Sequence, residues 1–170
     1  MLYFAYGSNL STVRLTGRVP STELITTGKL RQHRLVFHKV GRDGSAKCDA
    51  FYTGHPDDFL YGAVYRINPD QKILLDQAEG LGNGYQTKQV TIVTESAEDL
   101  IAFTYYATRT ATDIKPFHWY REHVLSGARE HGFPESYIEK ITAIDATEDK
   151  DRHRMKKELS IYAISTPPLL

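Results

Sequence analysis

The sequence predicts an α+β fold: a small mixed, largely antiparallel sheet, open to closure as a barrel, with helices outside. Two observations predict it. Apolar runs with strand character dominate the first 107 positions and helical spacings dominate the rest, with one helix inserted among the strands. At 170 residues the chain suits one domain with one sizeable core, spanning 1–170.

The first strand is Tyr3-Phe4-Ala5-Tyr6, and it breaks at Gly7-Ser8-Asn9. N–H groups released where a strand stops can converge on a carboxylate or a developing oxyanion. The plain alternative is a buried strand and an ordinary turn. Residues 11–28 are mixed and read as one short helix or irregular segment. A second strand is expected over 29–38, a polar turn over Gly41–Ser45 and a further strand over 50–53. Phe59 to Ile67 is a strong strand.

Asn68-Pro69 then starts a helix, Asn as N-cap and Pro at the first helical position. Ile73, Leu74 and Ala78 are expected to form its buried stripe, and Gly80 to stop it. Tyr85–Thr94 and Leu100–Ala107 read as a hairpin about Ser96–Asp99. Pro116 opens a helix with Phe117, Tyr120, Val124 and Ala128 at helical spacing, ended by Gly132. Pro134 opens another, with Tyr137, Ile138 and Ile141 on one face. Residues 145–158 carry five acids and five bases and read as a solvated helix. A last strand is expected over 158–165.

Composition narrows the function. Lys plus Arg and Asp plus Glu each number 21, which argues against nucleic acid or an anionic membrane as partner. The single cysteine, Cys48, forms no internal disulfide, so a reducing, cytoplasmic setting is expected. No signal peptide and no membrane-spanning run are read. The histidines show no metal-ligand spacing, and neither a metal nor a cofactor is expected.

Glu79 carries the most information. It closes the inserted helix, where a carboxylate meets the negative end of the dipole, and Asp76 adds a second negative charge one turn earlier. Stability alone would favour Lys or Arg here. A broken local rule tends to mark a functional site, although an exposed Glu at a frayed end is common too. Cys48 has no cue for activation and reads as a passive small residue.

Together these segments resemble the γ-glutamylcyclotransferase family. The resemblance rests on Tyr3–Leu10, Leu60–Tyr65, Leu75–Gly80 and Tyr85. It continues through Thr104-Tyr105, Pro116 with Tyr120, and Gly127–Pro134, covering about residues 1–145 and leaving out the charged segment 145–158. It implies a small mixed barrel flanked by helices, and release of 5-oxoproline from γ-glutamyl compounds. It implies Glu79 as the catalytic acid/base. The Tyr6, Gly7, Ser8, Asn9 and Leu10 loop would cradle the γ-glutamyl group, with Tyr3, Tyr85, Tyr105 and Tyr120 as pocket positions. The stretch Ala46–Ala50 departs from the glycine-rich or apolar family pattern, which leaves substrate choice open. A cyclotransferase acting on a larger amine, a non-catalytic γ-glutamyl-binding module and a homodimer all remain open at this point.

Overall fold

The computed structural model describes residues 1–163. In chain order the strands are β1 (Leu2–Ala5), β2 (Glu23–Arg31), β3 (His33–Val40), β4 (Ala46–Tyr52), β5 (Phe59–Arg66), β6 (Tyr85–Thr94) and β7 (Asp99–Ala107). The helices are α1 (Thr12–Arg18), α2 (Lys72–Glu79), α3 (His118–Glu130), α4 (Glu135–Thr142) and α5 (Arg152–Ala163). One-turn 3₁₀ segments cover Ser8–Leu10 and Pro69–Gln71.

Five strands close a barrel in the order β1-β5-β2-β6-β7, and β3-β4 form a separate two-stranded sheet. The barrel is mixed because β1 runs parallel to β7 at the closing seam, while the other neighbours are antiparallel. Closure leaves no unpaired edge in the barrel. Phe4, Ala5, Leu60, Val64, Tyr65 and Ile92 are fully buried around it.

Strand directions decide where the site forms. Ala5 pairs with Ala63 midway along β5, and Leu2 pairs with Arg66 at its end, so the two strands run in opposite directions. The chain therefore leaves β1 at one end of the barrel and leaves β5 at the other. Helix α2 makes the return. Its eight residues rise about 12 Å, close to the length of β1. Asn68 caps the turn that precedes it, accepting from the Asp70 N–H at 3.1 Å. Gly80 ends α2 in the left-handed conformation, φ 72°, with its N–H on the Asp76 carbonyl. That φ suits glycine and stops the helix. Glu79 thus arrives at the barrel end where β1 stops.

Several sequence expectations are corrected. The buried residue of α2 is Leu75, at 0% exposure; Ile73, Leu74 and Ala78 face outward. The helix is too short to hide a wide stripe, so one side chain anchors it. Residues 23–31 belong to β2, and the expected 29–38 strand is cut by Gln32 at φ 60° into β2 and β3. A non-glycine residue in that region carries no reliable sequence signal. Strand β4 begins at Ala46, earlier than 50. The strand expected over 158–165 is the end of α5 as far as Ala163, and positions 164–165 lie outside the described residues.

Nor is the charged segment simply solvated. Asp149 is 5% exposed and accepts from the Trp119 indole at 2.8 Å and from Arg154 at 2.6 Å. Glu158 pairs with Arg14 at 2.5 Å. His123, fully buried on α3, meets Tyr162 at 2.7 Å and Glu158 at 3.2 Å. These contacts fasten α5 to α1 and α3, which is why no fully buried apolar residue is needed on it.

This cluster predicts a pH dependence. Burial first, and then the Arg14 charge, hold the His123 imidazole down to about 4, from an ordinary value near 6.5. The hydrogen bond from His123 and the Arg14 charge hold Glu158 at about 2, so it stays ionised throughout that window. The unfolded chain binds more protons between pH 6.5 and 4. Stability from His123 is therefore complete above about 6.5 and falls as the pH drops, by up to roughly 1.4 kcal/mol per pH unit. Denaturant titrations at pH 7 and pH 5 should show a loss that His123→Asn reduces. An identical loss in that variant would contradict the assignment.

Candidate active site

Nine of the ten residues singled out in the sequence line one narrow cavity at this barrel end: Tyr3, Tyr6, Gly7, Ser8, Asn9, Glu79, Tyr85, Tyr105 and Tyr120. Cys48 is the tenth wall residue. Leu10 is not part of the wall. Its side chain is fully buried in the core, and its carbonyl accepts from Tyr65 at 3.3 Å and bonds His131 Nε2 at 2.9 Å.

Glu79 and Asn9 meet across this cavity. The Asn9 Nδ2 group donates to Glu79 Oε1 at 2.7 Å and to the Tyr3 hydroxyl at 3.2 Å. Its Oδ1 accepts from Arg18 at 2.5 Å. The amide orientation is the one that points N–H at the carboxylate and oxygen at the guanidinium. Arg18 also reaches Glu79 Oε1, at 3.3 Å. Glu79 Oε2 has no hydrogen-bond partner among the described residues and is left for a ligand.

Asp76 does not press a second free charge on Glu79. Lys72 donates to both its oxygens, at 2.6 and 2.9 Å, and the Tyr105 hydroxyl donates to it at 2.6 Å. Positive charge from Arg18 and the Asn9 amide offsets the unfavourable helix end.

The tyrosines divide into spent and free hydroxyls. Tyr6 donates to the Tyr105 carbonyl at 2.7 Å, and Tyr85 donates to the Cys48 carbonyl. Tyr3 and Tyr120 accept only, Tyr120 from the Cys48 N–H at 3.1 Å. Their own protons are available to a ligand. Burial first, and the Glu79 charge after it, hold the Tyr3 phenol well above its ordinary value, so it remains a donor at neutral pH. The Tyr120 phenol is raised by the same burial, with the neighbouring Cys48 as the next cause.

The opening turn supplies main-chain donors. The first N–H groups of a helical turn have no carbonyl behind them. The Leu10 N–H is spent on the Gly7 carbonyl at 2.9 Å, which leaves the leading groups of the turn. Helix α3 presses on this turn through Gly127, where a Cβ would lie 2.5 Å from the Leu10 carbonyl carbon.

Sequence reasoning missed two members. Arg18 sits in the segment read as one short helix or irregular structure, and it ends α1. Cys48 takes part through its main chain, which no side-chain pattern reveals. Its thiol is pushed up by burial, which agrees with a passive role. A larger groove, about 470 Å³, runs between β3 and α4 past Phe37, Tyr61 and Tyr137. Of its two carboxylates, Asp58 is tied to Arg34 at 2.7 Å and Asp57 is exposed to solvent, and no acid/base set converges there. Among the described residues, no cluster of three or more His, Cys, Asp or Glu is placed to hold a metal, and no helix is long and apolar enough to cross a membrane.

The chain is similar to known proteins in both sequence and fold. The pattern of the AIG2-like family matches residues 59–141. The chain is 30% identical to the γ-glutamylcyclotransferase of Mus musculus over 158 residues, covering 89% of this chain and 82% of the mouse protein. The chain belongs to the γ-glutamylcyclotransferase family. The Homo sapiens γ-glutamylcyclotransferase is likewise 30% identical over 154 residues, 85% of this chain and 78% of that protein. A solved γ-glutamyl cyclotransferase structure superposes with a TM-score of 0.84 at 26% identity, over 96% of this chain and 98% of that one. As a γ-glutamylcyclotransferase the protein is an enzyme, and its mixed barrel with flanking helices is the fold of that solved relative.

Proposed function

We propose that this cyclotransferase closes the γ-glutamyl group of a γ-glutamyl-amino acid into 5-oxoproline and releases the amine, with Glu79 as the acid/base. The observation that carries the reading is the 2.7 Å bond from Asn9 to Glu79 Oε1. It joins the loop after the first strand to the carboxylate that ends α2, inside one cavity.

Nucleophile and electrophile are tethered in the substrate, so holding the bend does much of the work. The Glu79 carboxylate takes a proton from the α-ammonium. The freed amine attacks the γ-carbonyl carbon, forming the ring C–N bond and an oxyanion. Glu79 passes its proton to the leaving nitrogen, and the old C–N bond breaks. Two protons in all leave the attacking nitrogen, moved one at a time by the same carboxylate, and the amine departs as an ammonium. The leading N–H groups of the 3₁₀ turn and the free protons of Tyr3 and Tyr120 can hold the substrate α-carboxylate and the oxyanion.

A purely binding module could also pair this carboxylate with the substrate α-ammonium; what favours an enzyme is the likeness to γ-glutamylcyclotransferases. Incubation with γ-glutamyl-alanine, glutathione and ε-(γ-glutamyl)-lysine, followed for 5-oxoproline, tests the reading. The dipeptide should yield 5-oxoproline and alanine in equal amounts. Release of glutamate, or no reaction on any of the three, would overturn it.

A further inference from the structure

The inner cavity opens into a vestibule of about 300 Å³, and the two share Ser8, Glu79, Tyr85 and Tyr120. A γ-glutamyl group bound inside would send its leaving amine into this vestibule. Five cationic side chains line it against three carboxylates. Three cations are matched. Arg14 pairs with Glu158, Arg18 with Glu79 and Lys47 with Asp43. Two are left over, Lys39 and Arg42. Neither makes an ion pair or a side-chain hydrogen bond among the described residues.

Lys39 is the more telling of the two. It is 5% exposed, on the irregular part of β3, with Nζ 4.5 Å from the Tyr85 ring centroid. Its shaft lies against Gly84, where a Cβ would meet Cε at 3.0 Å. A buried ammonium without a carboxylate is costly, and a cation over a ring face recovers only part of that cost. Burial holds it below the ordinary lysine range. Arg42 reaches over the end of α2, its Nη2 3.4 Å from where a Gly80 Cβ would sit. Both cations thus stand beside the leaving-group side of Glu79.

We propose that Lys39 and Arg42 bind an anionic group close to the leaving nitrogen, namely the α-carboxylate of a departing amino acid. This rests on the cyclotransferase reading above and assigns the recognition of its leaving group to two residues. The two cations then select α-linked γ-glutamyl-amino acids over neutral amines.

The test compares γ-glutamyl-alanine with γ-glutamyl-alaninamide, which differ only in that charge. The amide releases the less basic amine and is the chemically easier substrate, so a preference for the carboxylate must come from the protein. Wild-type kcat/KM should favour the carboxylate by about ten- to a hundredfold, the range of a charge-assisted contact. That ratio should fall severalfold in Arg42→Ala, an exposed position, and further in Lys39→Met. A wild-type ratio near one, or a ratio unchanged in both variants, would overturn the proposal while leaving the cyclotransferase reading intact. Failure of both substrates to give 5-oxoproline would overturn the two together.

Discussion

Glu79→Gln is expected to keep the fold and to bind substrate while losing turnover by roughly 10²- to 10⁴-fold, the range of positioned acid–base catalysis. The substitution keeps the side-chain shape. A Gln Oε1 can still accept from Asn9 at the 2.7 Å site and from Arg18. What it loses is the ability to take a proton. The charge removed stands at an unfavourable helix end, which limits the stability cost to about 1 kcal/mol or less. Substrate binding still measurable by calorimetry, weakened by the lost pairing with the α-ammonium, with 5-oxoproline production nearly abolished, is the expected pair of results. Unimpaired ring closure would remove Glu79 from the mechanism.

Gly127→Ala is expected to lower both stability and activity. Helix propensity alone predicts the opposite, a gain of about 1 kcal/mol from Gly to Ala in mid-helix. The packing reverses that sign. The new Cβ would lie 2.5 Å from the Leu10 carbonyl carbon and 2.6 Å from the Ser11 nitrogen. Both are main-chain atoms, so no rotamer change can yield. Either α3 lifts or the turn carrying Ser8 and Asn9 shifts, at about 1–3 kcal/mol for overpacking. The net loss should appear as a fall of a few degrees in Tm. Displacement of the turn also disturbs the Asn9–Glu79 bond, and misplacement of this kind costs on the order of 10²-fold in rate. A more stable variant of normal activity would show that α3 does not hold the turn in place.

What the sequence made legible has a physical pattern. Side chains with a strong local rule were readable: Asn68 as cap, Gly80 as stop, and the alternation through β6 and β7. So was the place of Glu79 at the end of α2, where a negative charge is unusual. Features set by long-range pairing were not. The burial of Leu75 rather than Ile73 and Leu74 depends on which side of α2 meets the barrel. The break at Gln32 depends on how β2 and β3 separate into different sheets. The strand expected over 158–165 is helix as far as Ala163, and Tyr162 reaches His123 from that helix. Arg18 lies 61 positions from its carboxylate, and only the folded barrel joins them.

The most direct measurement is a crystal structure of the Glu79→Gln variant with uncleaved γ-glutamyl-alanine. The γ-glutamyl group should lie between the Gly7–Asn9 turn and position 79, with its α-nitrogen within about 3 Å of the substituted side chain. A substrate seated instead in the groove beside Tyr61 and Tyr137, or turned so that its α-nitrogen faces away from position 79, would contradict the account.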